Sequence, residues 1–105
     1  MTLPGRGEVW WGEAPDAKGR PYIVLSRDEA IPVLRALLVA PVTRTIRGIP
    51  TEVSLGIDEG LPTECVAAFD ATTVFPRAML VRRVGSVAPT RLHELCEALA
   101  AVTDC

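Results

Sequence analysis

The chain has 105 residues, 49% of them hydrophobic and 23% charged, and a formal net charge of −2. That length suits a single domain over residues 1–105 with one compact core, and the composition excludes a disordered chain. With a net charge of −2 the overall field does not mark the chain as a nucleic-acid binder, and no apolar run reaches the ~18 residues that a membrane span needs.

The first ten residues, MTLPGRGEVW, carry no apolar signal core, so a cytoplasmic protein is expected. Three cysteines, Cys65, Cys96 and Cys105, with no CxxC spacing and one histidine argue against a disulfide framework or a zinc centre. Ten of the eleven basic residues are arginine. Arginine's planar fork suits phosphate, and high genomic GC content would produce the same bias.

In chain order, 7–12 (GEVWWG) reads as a strand between glycines, with Val9 and Trp11 on one face and Glu8 and Trp10 on the other. One tryptophan belongs to the core; the other suits a base-stacking platform or a dimer contact. Residues 13–19 (EAPDAKG) form a polar loop. A continuous apolar strand follows over 21–25, with Pro21 at its start because proline has no N–H for a ladder. Residues 30–35, broken by Pro32, read as an irregular crossing or a single turn.

The third strand, 36–42, is apolar on both sides, and Pro41 marks an edge or a bulge. Thr43 to Gly48 form a loop with two arginines. Residues 50–55 alternate, Thr51, Val53 and Leu55 against Glu52 and Ser54, as a half-exposed strand does. Residues 56–64 are turn-rich, 65–69 a short strand, 72–74 an extended piece, and 80–84 (LVRRV) another strand. Residues 89–102 form the one convincing helix, with Leu92, Leu95, Cys96, Leu99 and Val102 in one stripe and Pro89 at its first position. His93 lies beside that stripe as a flank or interface residue. Many short strands followed by one helix predict a mainly β fold, a small bent β-barrel capped by a C-terminal α-helix.

The succession GEVWW, GRPYIVLS, APVTRT, EVSL, TECVAAFDATTV, RRVGSV and the closing helix resembles the MazF/PemK family of toxin endoribonucleases, from about Gly5 to Val102. The resemblance implies an SH3-like barrel that forms a homodimer. It implies cleavage of single-stranded RNA without a metal or other cofactor, leaving a 2′,3′-cyclic phosphate and a 5′-hydroxyl. It also implies a cognate MazE-like antitoxin whose disordered tail blocks the RNA groove.

The family's catalytic arginine and threonine match Arg20, of the RP pair, and Thr43, which ends PVT. Cys65 stands where the family usually has serine, and Asp70 falls at or near a residue that reads RNA. The loop before Arg20 is shorter than in several relatives and lacks their Ser-Glu-Gln run. Glu13 or Asp16 is therefore the expected proton acceptor, without a firm alignment for either. Trp11, Arg44 and Arg47 are the further expected RNA contacts.

Residue chemistry alone reads Arg20 as a surface arginine at a strand entrance and Thr43 as a strand-end residue bonding its own turn. Two other classes compete with the nuclease. One is a CcdB-like toxin that binds gyrase without cutting RNA, through a C-terminal helix. The other is an SH3-like interaction module, which gives no reason for the RP and PVT pieces to occur together.

Overall fold

The computed structural model describes residues 2–104; Cys105 lies outside them. Seven strands run β1 Glu8–Gly12, β2 Arg20–Val24, β3 Ala36–Thr43, β4 Glu52–Leu55, β5 Cys65–Ala68, β6 Thr73–Pro76 and β7 Leu80–Ser86, ahead of helix α1 Leu92–Val102. The sheet order is β4-β5-β3-β2-β1-β7, and β6 also pairs with β3. Every pairing is antiparallel.

Side-chain alternation explains why the strands are apolar on both sides. Val9, Ile23, Leu25, Ala40, Val42, Val53, Leu55, Ala67 and Phe69 build one core, against which α1 packs Leu95 and Ala98. Trp10, Val24, Ile31, Leu37, Val39, Phe75 and Leu80 build a second on the opposite face. Trp10 is thus the core tryptophan, and β1 to β3 are sandwiched between two apolar layers.

Two expectations change. Pro41 lies on the most heavily paired strand, not on an edge. It falls between Val39, the last partner of β6, and Val42, the first partner of β5, where that side of β3 has no neighbour. A residue lacking an N–H is tolerated at such an interruption. On α1, Cys96 is exposed and Ala98 buried, so the inward stripe runs Leu92, Leu95, Ala98, Leu99 and Val102. A one-turn 3-10 segment over Pro89–Arg91 precedes the helix proper.

The sheet does not close by hydrogen bonding: β4 and β7 are its two ends. They are joined instead through the turn after β4. Gly60 has φ +89, and a Cβ there would strike the Val84 carbonyl oxygen; a Cβ on Gly85 would strike the carbonyl oxygen of Glu59. Backbone meets backbone at this seam, which only glycine permits. Arg91 secures the same turn. It donates to Glu59 Oε2 (3.1 Å) and to the Ser54 carbonyl (2.7 Å), while Gly56 N–H donates to Glu59 Oε1 (2.7 Å). Glu59 is the one buried charged residue among those described, and a buried carboxylate requires such partners.

Candidate functional site

β2 and β3 pair as Tyr22↔Pro41, Ile23↔Ala40 and Val24↔Val39. Carried two residues further, the same register sets Arg20 opposite Thr43, where β3 leaves β2 and turns to β5. On its other side Arg20 pairs with Gly12 of β1. The fork of the sheet opens a cleft of about 600 Å³ lined by Arg20, Thr43, Arg44, Trp11, Arg82 and Cys65, with the seam turn 60–63 as one wall. The fold thus brings both strand-end residues into one cavity.

Thr43 Oγ1 accepts a hydrogen bond from Thr45 N–H (3.1 Å). The turn occupies one lone pair and leaves the hydroxyl proton to donate, so a turn-bonding threonine and a donor to a ligand are compatible descriptions of one residue. Ser26, the last residue of GRPYIVLS, lies outside the cleft. It accepts from Leu38 N–H (2.8 Å) and locks the far end of the β2–β3 pair.

The cleft's charge is one-sided. Arg20, Arg44 and Arg82 line it, and no Asp, Glu or His does. Among the described residues, none of these three guanidiniums has a hydrogen bond or a carboxylate within ion-pair distance. Cys65 is buried and donates to the Leu55 carbonyl. Burial pushes its thiol above the ordinary value, the negative charge of Glu59 adds to the rise, and nearby Arg44 opposes it. It is therefore a neutral thiol at neutral pH and a poor nucleophile.

The remaining expected residues divide. Arg47 and Asp70 line a separate hollow of about 280 Å³ beside the β3–β4 loop. There Asp70 accepts from the Thr51 hydroxyl (2.6 Å), and the Arg47 backbone N–H donates to Glu52 (3.0 Å). Glu13 and Asp16 are exposed in the 13–19 loop and line neither cavity. Arg82 was missed: LVRRV gives no local reason to prefer it over Arg83. β7 pairs with β1 through two register shifts, which set Arg82 opposite Trp11 and Arg83 opposite Trp10. Among the described residues no three His, Cys, Asp or Glu gather as metal ligands, and no helix is long and apolar enough to cross a membrane.

Residues 5–103 match the family described as PemK-like, MazF-like toxin of type II toxin-antitoxin system. The chain is 47% identical over 106 residues to the probable endoribonuclease MazF5 of Mycobacterium tuberculosis, spanning 99% of this chain and 96% of that protein. It superposes on the M. tuberculosis toxin MazF-mt6 with a TM-score of 0.85 and 31% identity, covering 92% of this chain and 96% of the other. A mycobacterial endoribonuclease in complex with its cognate antitoxin gives a TM-score of 0.82 at 25% identity, covering 95% and 94%.

Proposed function

The chain belongs to the PemK-like, MazF-like family of type II toxins, and on that footing we propose that it is an endoribonuclease that cuts single-stranded RNA in the cytoplasm and so inhibits translation and growth. The observation that carries this is the cleft with three unpaired guanidiniums and no carboxylate, in a chain whose net charge is −2. Such a site suits a polyanion.

In the reaction we assign, the RNA 2′-oxygen attacks the adjacent phosphorus as its proton leaves. The bond from phosphorus to the 5′-oxygen breaks, and that oxygen takes up a proton. The products are a 2′,3′-cyclic phosphate and a 5′-hydroxyl. Arg20 forks two N–H donors onto the non-bridging oxygens of the phosphorane and offsets its extra charge. Thr43 donates its hydroxyl proton to one of the same oxygens. Arg44 holds the neighbouring backbone, and Arg47 and Asp70 meet the strand where it leaves the cleft. Glu13 and Asp16 stand outside the cavity, so we assign the 2′-proton to solvent rather than to either of them.

We further read the chain as one toxin domain working as a homodimer and silenced by a MazE-like antitoxin. The superposition on a mycobacterial endoribonuclease bound to its cognate antitoxin supports that partner. The matched family favours this reading over the gyrase-binding one. The test is incubation of purified protein with single-stranded RNA in excess EDTA, followed by sequencing of the new 5′-hydroxyl ends. Discrete cuts at a recurring short sequence are expected. Loss of cleavage with chelator would sink the metal-free mechanism, and gyrase inhibition without RNA cleavage would favour the alternative.

A further inference from the structure

Arg82 and Arg83 are adjacent on β7 and have opposite surroundings. Arg83 donates to Glu8 Oε2 (3.1 Å) and to the Ser86 hydroxyl (3.2 Å). Arg82 has no such partner among the described residues; its guanidinium carbon stands 5.8 Å from the centroid of the Trp11 ring. A cation over an aromatic face is held in place without being neutralised, and the contact consumes none of the five N–H donors.

The indole is itself braced. A Cβ on Gly19 would lie within 2.7 Å of Trp11 Cε2 and Cζ2, so the loop backbone presses against that edge of the ring. Arg82 over the ring and Gly19 close against it thus engage Trp11 within the protein. Arg82 also lines the neighbouring hollow, with Leu3, Trp10 and Arg35, and so stands on the ridge between the two cavities.

We propose that Arg82 is a second phosphate-holding residue of the cleft and that Trp11 is its strut rather than a stacking surface. β7 lies two strands from β2, about 10 Å at ordinary sheet spacing, so the phosphate Arg82 holds is a neighbour of the scissile one. The proposal rests on the ribonuclease reading and adds to it a residue that acts on substrate affinity more than on the chemical step.

The probe is random-sequence 2′-O-methyl RNA, which lacks the nucleophile and survives, titrated across a salt series alongside steady-state cleavage of ordinary RNA. Arg82→Ala should weaken binding about tenfold, as loss of one charge-assisted contact does. It should also lower the slope of log affinity against log salt by about 0.7, raise KM, and leave kcat within about threefold. Trp11→Leu should weaken binding less than Arg82→Ala, and the double variant should bind no worse than Arg82→Ala alone. Unchanged affinity and slope for Arg82→Ala, with wild type binding and cleaving, would overturn this proposal alone. Additive losses in the double variant would overturn the strut. A wild type that neither binds nor cleaves RNA would overturn both readings.

Discussion

Arg91 donates to Glu59, to both oxygens of Glu94 and to the Ser54 carbonyl, whereas Arg20, Arg44 and Arg82 converge on one cleft without a carboxylate among them. Arg91 ties the start of α1 to β4 and to the seam turn, and its charge is spent on two glutamates inside the molecule. The cleft arginines repel one another and form no ion pair among the described residues. Groups that cost stability when left unpaired persist where an outside anion is to be bound. The two regions predict different failures: removing a cleft guanidinium should cost activity and spare the fold, and removing Arg91 should do the reverse.

The largest of these effects is at the cleft. Thr43→Val, which keeps the shape and deletes the hydroxyl, is expected to lower the single-turnover cleavage rate about 100-fold, while the loss of the exposed hydrogen bond from Thr45 N–H lowers the melting temperature by only a few degrees. Arg91→Ala is expected to lower stability by about 2 kcal/mol, less than a fully buried pair because Arg91 is 28% exposed, read as a lower midpoint in urea. Its residual activity, scaled to folded protein, should stay within a fewfold. Glu13→Gln and Asp16→Asn should each leave cleavage within about threefold, because neither residue lines the cleft; a 100-fold loss in either would identify a proton acceptor that the cavity does not contain.

The smallest effect is acid sensitivity. The Arg91 hydrogen bond holds the Glu94 carboxyl below its ordinary value near 4.5. Burial alone would raise Glu8, but donors from Trp10, the Gly5 backbone and Arg83 together hold it below that value as well. Both carboxyls bind protons more weakly folded than unfolded. Their contribution is therefore complete above pH about 4.5 and is lost as pH falls through the lower, folded values. Thermal melts between pH 7 and pH 3 should show the loss, and Glu94→Gln should flatten it.

The sequence reveals the strands and much less of their consequences. Continuous apolar runs located β2 and β3, which are buried on two faces; alternation located β4, and β6, Thr73–Pro76, showed only as the brief extended piece 72–74. Arg20 and Thr43 were found through the family pattern; on local chemistry each is an ordinary strand-end residue. Their meeting is a matter of register, since the pairs Tyr22↔Pro41 to Val24↔Val39 are fixed by the whole sheet. Glu59 looked like one polar residue among the turns of GIDEGLPTE, and only the docking of that turn on Gly85 buries it. Arg82 was invisible for a similar reason: two bulges between β1 and β7, which no periodicity reports, decide which arginine meets Trp11. Cys96 fitted the helical stripe and lost its place to Ala98, a smaller residue that lets α1 approach the sheet.

The most direct test is single-turnover cleavage of single-stranded RNA in excess EDTA by wild type and Arg20→Ala, with urea unfolding of both. The expected result is a rate at least 100-fold lower for the variant and the same unfolding midpoint. Undiminished cleavage by Arg20→Ala, or a lost rate that follows a lost fold, would contradict it.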